Sequence, residues 1–235
     1  MLNHLTLIIK WCNENSGFLS LIIFAITLLL AWLTGVFEAL KKQPKFKIEL
    51  LNIPTFCCTF PTGNKYNAHD AHQTAISLYL NITNIGNAAS SIKSIEVGYH
   101  NYTFKYTYLW FWLKETCILS DFCVDIGENT KVYPLLTQKS CLLGDSANTF
   151  LNIGQQCSGI VYFEQPEGWG GFKPRIVNNK VMIKVKIKDV FEKYHQKIFT
   201  IPVVSLEEAR KYNQSFGMTY KALNDTEKKE KEIVT

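Results

Sequence analysis

The sequence predicts an all-β domain, an antiparallel two-sheet sandwich with one short C-terminal helix, behind a single transmembrane helix. Three observations predict it. An uncharged apolar run covers Phe18–Phe37. Several later segments alternate apolar and polar residues with period two, the mark of a half-buried strand. Turn residues separate roughly eight or nine such segments at intervals of about 8–12 residues, as in sandwich folds.

The apolar run, FLSLIIFAITLLLAWLTGVF, is 20 residues long. About that many are needed to cross ~30 Å of hydrocarbon. It is longer than the apolar stretch of a usual signal peptide, Lys10 is the one basic side chain close before it, and no small-residue cleavage site follows. The expected division is a short N-terminal segment, 1–16, a membrane helix, 17–38, a basic linker, 39–46, a β domain, 47–220, and a charged flexible tail, 221–235. Trp11 and Trp32 stand near the two ends of the span, as interfacial anchors do. Lys41, Lys42, Lys45 and Lys47 follow the span, whereas Lys10 is offset by Glu14. Positive charge stays on the cytoplasmic side, so the expectation is an inner-membrane protein with its N-terminus outside and its domain in the cytoplasm.

The chain has 235 residues, of which 19% are charged and 13% aromatic, and its net charge is +5. A nucleic-acid binder would carry a dense basic stripe. Here the lysines alternate along strands and read as solvated faces, so no nucleic-acid partner is expected. Seven cysteines occur, at positions 12, 57, 58, 117, 123, 141 and 157. A domain of this size needs no disulfide staples, which points to free thiols in a reducing compartment. Four N-x-S/T triplets begin at Asn81, Asn101, Asn213 and Asn224, and would matter only for a lumenal domain.

Along the domain, 46–53 is a first strand. In 73–86, Ile76, Leu78, Leu80 and Ile82 share one face, and Ser77, Tyr79, Asn81 and Thr83 the other. A turn follows, with Gly86 and Asn87 suited to positive φ, and 92–100 returns. Further strands are expected at 102–113, 116–124, 130–137 and 157–164. The clearest pattern is a late hairpin. Val181, Ile183, Val185 and Ile187 point one way and Lys180, Lys184, Lys186 and Lys188 the other; Phe199, Ile201 and Val203 resume after the loop 189–194. Ser205, with Glu208 three residues later, forms a capping-box signature for a helix expected across the end of the sandwich. From Asn224 the tail is densely charged.

The stretch LYLNITNIGNAASSIKSIEVGYH resembles the B–C region of bacterial immunoglobulin-like domains, where a strand runs into an N-x-G-x-A turn and a second strand returns. The closing VKIKDVFEKYHQKIFTIPV resembles the last hairpin of the same fold. The order of span, lysine linker, TFCCTF, NITNIG and YFEQPEGWGGF is similar to uncharacterised bacterial single-pass membrane proteins. The resemblance implies an immunoglobulin-like sandwich. It implies no activity, because that fold hosts many functions.

Chemistry is sparsely signalled. Cys57, Cys58, His69 and His72, with Asp70, form the one candidate metal group, in CCTFPTGNKYNAHDAH, with the two histidines read as loop residues. Zinc needs about four converging thiolate or imidazole ligands, and adjacent cysteines without C-x-x-C spacing supply them poorly. The expectation is therefore no metal and no cofactor. No G-x-S-x-G, P-loop or dinucleotide fingerprint occurs. The glycines of 167–174 precede no helix pattern and read as a mobile surface loop with Trp169 and Phe172 at its tip.

The aromatic strand NYTFKYTYLWFWL is more telling. Its even-numbered aromatics, ending in Trp110 and Trp112, share one face, and from Leu109 the other face also turns apolar with Phe111 and Leu113. A strand in an isolated sandwich keeps one polar face. Two things should therefore cover 109–113: the core on one side and, on the other, either the domain's own helix or a loop, or a partner, in which case Phe111 is on the partner's side. These features favour a non-enzymatic, membrane-anchored binding or scaffold module whose partners are the bilayer and a protein or a second copy. The alternatives are an oligomerising membrane effector of an anti-phage defence system and, more weakly, a metal-dependent enzyme using the Cys57/His69/His72 region.

Overall fold

The structure, a computed structural model, describes residues 10–37, 42–101, 109–223 and 225. The chain divides into two compact units, Met1–Gln43 and Pro44–Thr235.

The first unit holds helix α1 (Ser16–Leu33), about 27 Å long at ~1.5 Å per residue. It is mostly apolar, none of its residues is buried in protein, and by length and composition it suffices to cross a membrane. The two hydroxyls inside it are already satisfied. Ser20 donates to the Ser16 carbonyl at 2.9 Å and Thr27 to that of Ile23 at 2.7 Å, so neither demands water in an apolar medium.

The second unit is mostly β and antiparallel. Its strands are β1 (Phe46–Tyr66), β2 (His69–Asn84), β3 (Ser90–Tyr99), β4 (Phe111–Lys114), β5 (Cys123–Ile126), β6 (Asn129–Val132), β7 (Phe150–Leu151), β8 (Gln156–Glu164), β9 (Gly168–Trp169), β10 (Ile176–Val177), β11 (Lys180–Asp189) and β12 (Tyr194–Pro202). One sheet runs β1-β2-β8, with β9 added to β2. The other runs β12-β11-β3-β4, with β10 on β11 and β7 on β3. β5 and β6 form a separate hairpin.

The two sheets share one apolar core. Ile76, Leu78, Leu80 and Ile82 of β2 meet Ile95, Val97 and Tyr99 of β3 and Val181, Ile183, Val185 and Ile187 of β11. The alternation expected in β11 and β12 is observed, and so is the core face of β2, but β2 is buried on both faces from Gln73 to Leu78 rather than half-buried.

A second core lies on the opposite face of the first sheet. Phe56, Cys58 and Phe60 of β1 and Ile160 and Tyr162 of β8 are covered there by Phe122, Tyr133, Leu135, Ala209 and Phe216. Helix α2 (Leu206–Arg210) belongs to this layer, so it packs on the outer face of a sheet rather than across the end of the sandwich. Its capping residue is the expected one: Ser205 Oγ accepts from the Glu208 amide at 3.2 Å.

Other expectations need correction. β1 continues to Tyr66 and pairs with β2 in a long hairpin, so His69 and His72, read as loop residues, lie on a strand. β1 changes face parity because its register shifts between Leu51 and Phe56. Ile48 precedes the shift and Cys57 follows it, yet both reach the same core. The stretch 116–124 is strand only from Cys123, and 130–137 only to Val132. Of the aromatic strand, 102–108 lie outside the described residues, and only Phe111–Lys114 pair as a strand. The 85–89 turn rests not on positive φ at Gly86 or Asn87 but on the buried Asn84 side chain. That amide accepts from the Gly86 N–H at 3.0 Å and donates to the Ala88 carbonyl at 2.8 Å. Residues 219–223 are helical, and most of the charged tail lies outside the described residues.

Candidate interaction surface

The register of β4 decides where the aromatic residues go. Tyr99 pairs with Phe111, Gly98 with Trp112 and Val97 with Leu113. Paired residues point to the same side of a sheet. Val97 and Tyr99 face the core, so Phe111 and Leu113 face it too. Leu113 is buried, and the Phe111 ring lies 5.4 Å from that of Tyr99. The placement of Phe111 on a partner's side is thus reversed. The outward residues are Trp110 and Trp112.

Outside, those indoles lie among lysines. Lys186 Nζ stands 4.2 Å from the Trp112 ring centre and 5.0 Å from that of Tyr194, and pairs with Glu96 at 2.5 Å. Lys184 Nζ lies 5.7 Å from Trp110. Such contacts keep the ammonium over the electron-rich ring face while its stem covers apolar surface. His100 stacks on Trp110 at 4.0 Å, and its Nδ1 meets the Leu109 carbonyl at 3.1 Å. A carbonyl only accepts, so that nitrogen carries the proton. Leu109 itself is exposed.

Trp169 and Phe172 come from 60 residues away in sequence yet reach the same end of the domain. Gly168–Trp169 pairs with Ala71–His72, so the expected surface loop is anchored on a strand. Trp169 packs on Tyr66 at 5.0 Å and on Phe172 at 6.5 Å, and Phe172 lies 6.4 Å from Phe111. The ring chain Tyr66–Trp169–Phe172–Phe111–Tyr99 joins the two segments that the sequence singled out separately.

Polar contacts fix this end. Tyr99 Oη donates to Gln165 Oε1 at 2.6 Å, and the Phe172 carbonyl stands 3.2 Å from the same hydroxyl. The Glu167 carboxylate accepts from Thr62, from Asn64 at 2.9 Å and from Tyr66 at 3.1 Å. Burial opposes ionisation of Glu167, but these three donors hold its carboxyl below the usual range. A cleft of about 570 Å³ is lined by His100, the basic Arg175 and Lys180, and the apolar Val177 and Met182.

The metal candidates do not come together. Cys57 lies in the core between the sheets and Cys58 in the second core, on opposite faces of β1. Burial pushes the Cys57 thiol far up, and Cys58 up to about 11 against the opposing Arg210 charge. A ligating cysteine must be a thiolate. His69 is exposed near the hairpin tip, while His72 is half-buried with its Nε2 enclosed. Among the described residues no group of three His, Cys, Asp or Glu side chains is placed to hold a metal ion. All seven thiols are free.

No protein-family model and no curated protein matches the chain.

Proposed function

We propose that this chain is a membrane-anchored binding or scaffold module, held at the cytoplasmic face by α1, whose domain is an immunoglobulin-like sandwich that docks a protein partner or a second copy. The strand orders support the fold assignment. β1-β2-β8 against β12-β11-β3-β4 matches strands A-B-E against G-F-C-C′ of that fold. The lysine excess after the span supports the orientation.

One observation carries the docking function: the two aromatic segments converge at one end of the domain with Trp169, Phe172 and Leu109 exposed. That end lies opposite the one where the chain enters at Phe46, because Trp169 pairs with Ala71 and Phe46 with Asn84, 13 residues further along β2. Aromatic side chains bury large area with few rotatable bonds, which is why they dominate binding hot spots.

The test is chemical cross-linking of the full chain in mild detergent, comparing the natural sequence with Trp169→Ser/Phe172→Ser. Loss of cross-linked species, with unchanged circular dichroism, is the expected result. A folded double variant that cross-links as before overturns the reading.

A further inference from the structure

The end of the domain at which the chain enters has an unusual chemistry. Three turns surround Phe46. The first follows β2, the second precedes β8, and the third joins β11 to β12. Tips of this kind are normally Gly, Asn, Asp or Ser. Here they present Ile85, Ile153, Val190 and Phe191, which are 51%, 64%, 50% and 64% exposed.

These tips are fixed, not frayed. Buried Asn84 is the hub of two of them. Its side-chain amide donates to the Leu151 carbonyl at 3.1 Å, and its backbone carbonyl accepts from Gly154 at 2.8 Å. Its side-chain oxygen also accepts from the Lys45 amide at 3.3 Å, in the linker itself. Buried Asp189 holds the third tip, accepting from the Phe191 and Lys193 amides at 2.9 and 3.0 Å. The Val190 amide donates to the Ser91 carbonyl at 3.2 Å, tying that tip to β3.

The charges at this end are mostly positive. Lys45 is exposed, and Lys93 and Lys188 share the single carboxylate of Glu192. Lys193 adds a further positive charge. Eight residues, 38–45, join Phe37 to Phe46, and fully extended they span under about 33 Å. A membrane-anchored domain therefore keeps this end within reach of lipid headgroups.

Resting on the anchor reading, we infer that this end is a lipid-docking surface: Ile85, Ile153, Val190 and Phe191 enter the headgroup–acyl boundary while the surrounding lysines meet anionic lipid phosphates. Apolar side chains inserted beside basic ones are the chemistry of peripheral membrane contact. Three separate apolar tips around a tether suit a fluid apolar phase, which needs no shaped complement. A protein partner would need one.

The test is site-specific photo-cross-linking of the full chain in nanodiscs of phosphatidylcholine and phosphatidylglycerol. The variants are Phe191→p-benzoylphenylalanine and Ile153→p-benzoylphenylalanine. The same substitution at Trp169, at the far end, and at Ile26, within α1, supplies the controls. Mass spectrometry should find lipid adducts at 191, 153 and 26, and several-fold fewer at 169. Replacing phosphatidylglycerol by phosphatidylcholine should lower the yield at 191 several-fold. Adducts at 26 with none at 191 and 153 overturn the docking surface and leave the anchor standing. No adduct at 26 overturns the anchor and the docking surface together. Protein–protein adducts at 191, or equal lipid yields at 191 and 169, also overturn the proposal, and a yield indifferent to phosphatidylglycerol overturns its electrostatic half.

Discussion

Gly98 lies directly beneath the indole of Trp112: a Cβ at position 98 would stand 3.0 Å from the ring's Cε3 and 3.1 Å from its Cδ2. The absent side chain is what lets Trp112 lie across β3 and bring its ring to Lys186. Gly98→Val should therefore lift the indole off the sheet. Overpacking of this kind costs about 1–3 kcal/mol. The expected outcome is a lower urea midpoint with an unchanged m-value and a changed near-ultraviolet signal from tryptophan. An unaltered tryptophan signal would show that Trp112 does not rest on Gly98 in solution.

Among the described residues, Asp189 and His195 form the most enclosed ion-capable pair. Asp189 Oδ2 meets His195 Nε2 at 2.9 Å, and His195 Nδ1 accepts from the Phe46 amide at 3.2 Å. Because Nδ1 accepts, Nε2 carries the proton and donates it to the carboxylate. Asp189→Ala strands one imidazole donor in a buried place, where an unmet group costs about 1–3 kcal/mol, and two part-buried backbone amides, which water reaches and which cost less. Destabilisation of about 2–3 kcal/mol is expected by denaturant titration. Asp189→Asn retains acceptors for the amides and should lose less. Equal losses for the two variants would argue against the hydrogen-bond account.

Much of this was legible in the sequence. The β11–β12 hairpin announced itself because Val185 and Ile187 alternate with Lys184 and Lys186, and both faces obey the code. The core face of β2 was equally plain. Its other face was not: Ser77 and Tyr79 look solvent-facing, yet a second core covers them. A signal existed. TFCCTF and GIVYF are apolar on both faces, as strands buried on both sides are. The covering residues Phe122, Tyr133 and Phe216 sit in irregular segments, where periodicity carries no information. The sign of the Trp110–Leu113 register was hidden too. Both faces are apolar, and only pairing with Val97 and Tyr99 orients them. The meeting of Phe111 with Phe172 is a tertiary fact that no local pattern encodes.

Thiol labelling checks the placement of the cysteines. Burial pushes Cys57 far up and raises Cys58 and Cys157 to about 11 each, so all three remain protonated at pH 8. Cys117 and Cys141 are exposed. A maleimide reagent at pH 8 should modify Cys117 and Cys141 on the native chain and reach Cys57, Cys58 and Cys157 only in denaturant. Peptide mapping reads the pattern. Rapid native labelling of Cys58 would remove it from the second core and reopen the metal reading.

His72 gives a pH signature. Burial first, and then the nearby Lys173 charge, hold its imidazole below the ordinary value of 6.5. The unfolded chain therefore takes up a proton on His72 at a higher pH than the folded chain does. Where the unfolded state binds more protons, stability rises with pH. The contribution of His72 is fully present above pH 6.5 and is lost as pH falls below it. Removing the titrating group removes that loss. His72→Gln should therefore flatten the dependence of the melting temperature on pH between about 6.5 and 5, while changing little at pH 8. The shift is modest because the side chain is only partly enclosed, so the comparison needs closely spaced pH points. A variant whose acid-side slope matches that of the natural chain would place His72 in solvent, outside the strand-pairing site that joins Ala71–His72 to Gly168–Trp169.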